Sequence, residues 1–223
     1  MSTVQVARPG PAVAVRVRTM LGAGADADGA RQRHAGDVPA VVVAAARSGD
    51  HDAFAAIVGH YDERLRVLAF HLLGDRDLMD DALQDVYASA YRALATFRGE
   101  SGLGTWLFRI TYTTCMGYLR RRRAVDGGTA ARGAGEDDPL DRLPARGADP
   151  ADRVAARGDL RAALAALPAG QAAALILVFR EGLTYEQAAA VLGIAPGTVG
   201  SRLTAARAAL KRALGWEQGG EAP

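Results

Sequence analysis

Apolar positions recur along this chain at the spacing of buried helix faces, and they do so in two blocks. In the first, Phe54, Ile57, Val58, Tyr61, Leu65, Leu68 and Leu72 step by three and four residues, which lines them along one side of a long helix. After a break at Gly74 and Asp75, the series Leu83, Tyr87, Ala90, Leu94 and Phe97 predicts a second helix. A third begins near Leu103, runs through Trp106, Leu107 and Ile110 to Leu119, and ends in Arg120, Arg121, Arg122 and Arg123. Cations in that last turn suit the negative end of the helix dipole.

The second block opens with Leu160, Leu164 and Leu167 on a helix stopped by Pro168, and a further helix holds Leu175, Val178 and Phe179. Thr184 followed three residues later by Gln187 has the form of a capping box and predicts a helix start. Gly193 ends that short helix. Pro196 then suits the first turn of another, whose buried stripe is Val199, Leu203, Ala206 and Leu210. A short helix, a tight turn and a second helix form a helix-turn-helix.

Residues 125–150 are rich in Gly, Pro and Asp and read as an interdomain linker, and residues 1–37 show no period and read as a disordered N-terminal extension. The expected organisation is a first domain over 38–124, a second over 151–215 and a short tail at 216–223. The expected fold class is all-α, with two small helical domains joined by a flexible linker.

Composition narrows the function. The chain is 49% hydrophobic but only 6% aromatic, which favours compact helical packing. Its formal net charge is only +2, so a nucleic-acid surface has to come from local clustering. Such clustering occurs from Ser201 to Leu214, which holds four basic residues and no acidic one. Around the buried stripe of that helix, Gly200, Ser201, Arg202, Thr204, Arg207 and Lys211 are expected mostly on exposed faces, where they could meet base edges or phosphates.

An opposite surface is predicted on the second helix, where Asp77, Asp81 and Asp85 are spaced by four with Gln84 beside them. Stacked carboxylates repel one another, so the cluster reads either as a solvated face or as a dock for a basic partner. Between these surfaces, a glycine-rich loop after Phe97 leads into a helix bearing Trp106, Phe108, Arg109 and Tyr112, a pattern on which unpaired bases can stack. Trp106 is expected to be at least partly buried.

A lone cysteine, Cys115, excludes an internal disulfide framework and reads as a packing residue. The start of the chain lacks an apolar core of signal-peptide length, and no segment approaches about eighteen uncharged apolar residues. The expected location is the cytoplasm. His34, His51, His60 and His71 form no nucleophile or metal pattern. No catalytic residue, metal, cofactor or small-molecule substrate is expected.

Together these segments resemble the extracytoplasmic-function group of the sigma-70 family over about Pro39 to Leu214. Asp80-Asp81-Ala82-Leu83-Gln84-Asp85-Val86-Tyr87, Phe97-Arg98-Gly99 and Thr105-Trp106-Leu107-Phe108-Arg109-Ile110 look like the family's region two. Leu167-Pro168, Glu181 to Ala189 and Gly197 to Leu203 look like its region four. The resemblance implies a subunit that binds core RNA polymerase, recognises the minus-35 and minus-10 promoter elements and promotes melting. It gives Asp80, Asp81, Gln84 and Asp85 to the clamp coiled coil of the polymerase. The minus-10 element falls to Arg98, Gly99, Glu100, Ser101, Trp106, Arg109, Tyr112, Thr113, Arg120 and Arg121. The minus-35 element falls to Thr184, Tyr185, Gly197, Thr198, Ser201, Arg202, Arg207 and Lys211. It further implies that the helix-turn-helix also meets the polymerase flap, that the linker threads through the enzyme near the nascent RNA, and that an anti-sigma factor is a partner.

This chain departs from the family's usual pattern at four positions. Thr113 stands where asparagine is usual and has a shorter reach. Gly200 and Ala205 stand where basic residues are common, removing phosphate contacts, and Ala172 replaces a common arginine. The competing reading is a free-standing helix-turn-helix regulator that binds duplex DNA without polymerase. It leaves the first domain unexplained.

Overall fold

The computed structural model describes residues 38–125 and 162–214. The expectations for residues 1–37, for most of the linker, for Leu160 and for the tail lie outside the described residues. Those described are helical, with no strand among them.

The first domain is built from α1 (Ala40–Arg47), α2 (His51–Leu73), α3 (Arg76–Leu94) and α4 (Leu103–Val125). The two short connections, into α2 and into α3, are set by local chemistry. Asp50 Oδ1 accepts from the Ala53 amide at 3.0 Å and Asp75 Oδ1 accepts from the Leu78 amide at 3.1 Å, so an aspartate caps each of α2 and α3. Gly74 ends α2 in the left-handed region, with φ 66°. That abrupt stop turns α3 back along α2.

The predicted stripes form the core. Ile57, Tyr61, Leu65, Leu68 and Leu72 from α2 meet Leu83, Val86, Ala90 and Leu94 from α3 and Leu103, Leu107, Phe108, Cys115 and Leu119 from α4. Full burial of each such leucine contributes on the order of 2 kcal/mol. Burial also pushes the Cys115 thiol up to about 12, as befits a packing residue. At the start of α4, a Cβ on Gly104 would lie 3.0 Å from a ring carbon of Tyr61. A larger side chain there would require the Tyr61 ring to give way by a few tenths of an ångström.

The second domain contains a helical stretch at 162–165, then α5 (Ala169–Leu175), which passes into a π turn over Ile176–Arg180, then α6 (Tyr185–Leu192) and α7 (Pro196–Ala213). The capping box is formed: the Gln187 amide donates to Thr184 Oγ1 at 3.2 Å, and the Thr184 amide donates to Gln187 Oε1 at 2.9 Å. Gly193 closes α6 with φ 70°, and Pro196 opens α7 at its first turn. Val199, Leu203, Ala206 and Leu210 are buried as their spacing predicts.

The domains are not separate bodies in this structure. α4 packs on α6, and α2 packs on α5. Nothing in the helical periods announces that contact.

Candidate functional site

The acidic face lies on α3. Its buried stripe, Met79, Ala82, Leu83, Val86 and Ala90, points inward, and helical geometry therefore turns Asp80, Asp81, Gln84 and Asp85 outward. All four are exposed. They are not equivalent, however. Arg66 on α2 donates to Asp80 and, at 2.8 Å, to Asp62, and its guanidinium is held further toward the protonated state, chiefly by Asp80. Tyr118 on α4 donates its hydroxyl to Asp85 at 2.8 Å, a bond that raises the phenol above its ordinary range. Tyr87 donates to Asp62 at 2.5 Å. Its own phenol is pushed up, first by burial and then by that bond.

Sequence reasoning missed both Arg66 and Tyr118. Arg66 carried a legible signal, standing four residues after Asp62. Tyr118 carried none, because its contact depends on the register of α4 against α3.

At the glycine loop, Arg98, Gly99, Glu100 and Ser101 are all exposed, with Arg98 and Glu100 4.0 Å apart as a loose ion pair. Trp106 is half-buried against Phe97, ring centroids 5.1 Å apart, in keeping with its expected partial burial. Arg109, Thr113, Arg120 and Arg121 are exposed, and Arg121 sits 4.4 Å over the Tyr118 ring. Tyr112 is different, at 7% exposure. The arginine run lies within α4, which continues to Val125.

On the helix-turn-helix, Gly197, Ser201 and Lys211 are exposed, and Thr184, Tyr185, Thr198 and Arg207 are half-buried. The Ser201 hydroxyl donates to the Thr198 carbonyl and that of Thr204 to the Gly200 carbonyl, both at 3.0 Å. Arg207 lies 5.0 Å over the Phe179 ring. Arg202 does not meet the expectation of an exposed position. It is 3% exposed, because it stands three residues after Val199 and four before Ala206 and so shares the flank of the buried stripe.

One helical unit carries an exposed carboxylate face and the other a helix-turn-helix, and family models identify the two as units of a sigma-type transcription initiation factor. "Sigma-70 region 2" matches residues 57–125 and "Sigma-70, region 4" matches residues 157–210. The chain is 36% identical over 178 residues to the ECF RNA polymerase sigma factor SigM of Mycobacterium tuberculosis, covering 79% of this chain and 85% of that one. It is 31% identical over 176 residues to the ECF RNA polymerase sigma-E factor of Escherichia coli, covering 76% and 91%.

Two solved structures share the fold. One is CnrH in complex with the cytosolic domain of CnrY, with TM-score 0.55 and 26% identity, covering 80% of this chain and 97% of that one. The other is the sigma factor RpoE in complex with the anti-sigma factor NepR from Bartonella quintana, with TM-score 0.56 and 28% identity, covering 74% and 98%. The chain belongs to the extracytoplasmic-function group of the sigma-70 family. It is therefore an RNA polymerase sigma factor, a regulatory factor of transcription initiation. The match of the first domain to region 2 leaves no support for a free-standing regulator.

Among the described residues, no helix is long and apolar enough to cross a membrane. No group of His, Cys, Asp and Glu among them is placed to hold a metal ion.

Proposed function

We propose that this sigma factor docks on core RNA polymerase through the outward face of α3 and holds promoter DNA with the arginine-bearing helices α4 and α7, working in the cytoplasm. The observation that carries this is the exposure of Asp80, Asp81, Gln84 and Asp85 on a helix whose opposite side is core. Such a face suits the basic surface of the clamp coiled coil. Asp81 and Gln84 are the principal contacts, since Asp80 and Asp85 already accept from Arg66 and Tyr118.

Downstream, Arg98 to Ser101, Trp106, Arg109 and Thr113 receive the separated minus-10 strand, and Arg120 and Arg121 hold nearby phosphates. Upstream, Ser201, Lys211 and Arg207 reach the minus-35 duplex with Thr184, Tyr185, Gly197 and Thr198 along the backbone. The phosphodiester chemistry belongs to the polymerase, so the chain itself is not an enzyme. An anti-sigma factor is the expected inhibitor.

Gel shifts with and without core enzyme test the scheme. Specific promoter retention is expected only when core is present. A shift of one specific duplex by the chain alone would overturn it.

A further inference from the structure

Two side chains reach the acidic face of α3 from the neighbouring helices, and they act on it differently. On the α4 side, the Tyr118 hydroxyl donates to Asp85 Oδ2 at 2.8 Å. A neutral donor leaves the charge of that carboxylate whole, and Arg121 there is stacked over the Tyr118 ring at 4.4 Å. On the α2 side, the Arg66 guanidinium donates to Asp80 and, through Nε at 2.8 Å, to Asp62. A cation cancels the charge of the carboxylate it binds.

Arg66 is also fixed in place. Asp62 stands four residues before it on the same helix, and the other oxygen of that carboxylate accepts from the half-buried Tyr87 on α3 at 2.5 Å. The planar fork lets one guanidinium serve Asp62 and Asp80 together, a geometry that an ammonium group lacks. The network therefore pins a positive charge between α2 and α3, at one edge of a surface that is otherwise acidic.

Its effect on folding is small. The side chains of Arg66, Asp62 and Asp80 are 42%, 36% and 53% exposed, and exposed pairs of this kind add little to stability. Its effect on a basic partner is larger. A lysine or arginine that approaches Asp80 meets Arg66 beside it and must displace that cation or share its carboxylate, and like charges brought together in this way turn a partner aside. Further from α2, the same partner meets Asp81, Gln84 and the undiminished charge of Asp85.

We propose that Arg66 is a specificity-determining residue of the docking face, a built-in counter-cation that withholds Asp80 from polymerase and steers the basic partner surface onto Asp81, Gln84 and Asp85. The inference rests on the docking role given to α3 and adds a polarity to it: the strong end lies toward α4 and the weak end toward α2. The chain thereby binds core enzyme more weakly than its carboxylates allow.

The test is binding of the full chain, dye-labelled at its N-terminus, to purified core RNA polymerase. Arg66→Met keeps the apolar stem and removes the cation. It is expected to tighten binding about fivefold at low salt, a gain that vanishes near ~0.5 M salt, where exposed charges are screened. A change in helix packing alone would not respond to salt in that way. Asp80→Asn is expected to weaken binding by less than about twofold in the parent and by about tenfold in Arg66→Met, because only there can Asp80 reach the partner.

Equal effects of Asp80→Asn in the two backgrounds overturn the proposal, as does an Arg66→Met chain that keeps its urea midpoint and binds core no better than the parent. Should Arg66→Met lose stability, Arg66→Gln, which is also uncharged and retains an amide donor, is judged by the same criteria. Core binding that survives Asp81→Arg with Asp85→Arg would instead strike the docking role of α3. Loss of binding in that variant, with no gain in Arg66→Met, strikes the role of Arg66 alone.

Discussion

Helices α3 and α7 carry the two charged surfaces of this protein, and they obey their sequence patterns to different degrees. On α3 every member of the acidic set is exposed, and of the apolar stripe Leu83, Ala90 and Leu94 are buried while Tyr87 is half-buried. On α7 the apolar stripe is buried as expected, but Arg202 is buried with it. The difference lies in what surrounds each helix. α3 packs on α2 and α4 and leaves its outer side to solvent, while α7 lies in a small unit whose partner helices α5 and α6 are themselves docked on the first domain. A helical period predicts which side seeks the nearest core, but not how far the flanks are covered.

The sharpest way to break the comparison is to reverse the charge of the outer face of α3. Asp81→Arg with Asp85→Arg is expected to cost core binding roughly 3–5 kcal/mol, more than a hundredfold in Kd. Far-UV circular dichroism should be unchanged because the buried stripe is intact, and transcription that survived would remove the docking role from α3. Next comes the foundation under that face. Gly104→Val forces a side chain against Tyr61 and should lower stability by about 1–3 kcal/mol, read from the urea midpoint. An unaltered midpoint would mean that α2 and α4 can part at no cost.

On α7, Arg202→Ala removes a buried side chain and is expected to cost about 1–2 kcal/mol of stability. Melting and minus-35 affinity should be measured on the same protein. A loss of upstream affinity at unchanged melting temperature would return Arg202 to the DNA and erase the contrast with α3. The smallest effect belongs to the cap of α6. Thr184→Ala should cost about 1 kcal/mol by opening the box shared with Gln187. Serine in its place should restore most of the loss in thermal unfolding.

What was legible in the chain was local. The break at Gly74 and Asp75, the cap at Thr184, the stop at Gly193, and the stripes on α2, α3 and α7 follow from spacings of three and four residues and from short-range hydrogen bonds. What was not legible joins distant residues. Arg64 and Glu181 are separated by 117 positions, and no pattern within either helix marks them as partners. The bond from Tyr118 to Asp85 likewise depends on tertiary register, and the π turn depends on how Glu181 and Leu183 find carbonyls across the end of α5.

One further consequence follows from the unbroken length of α4. Its 23 residues make a straight rod of about 34 Å at ~1.5 Å per residue, close to one turn of B-form DNA. Trp106 stands near one end and Arg120 and Arg121 near the other, so the strand separation and duplex grip proposed for them would be carried on one continuous helix. Adding one residue midway would swing the far arginines by about 100° around the axis, throwing the two ends out of phase without weakening either contact by itself.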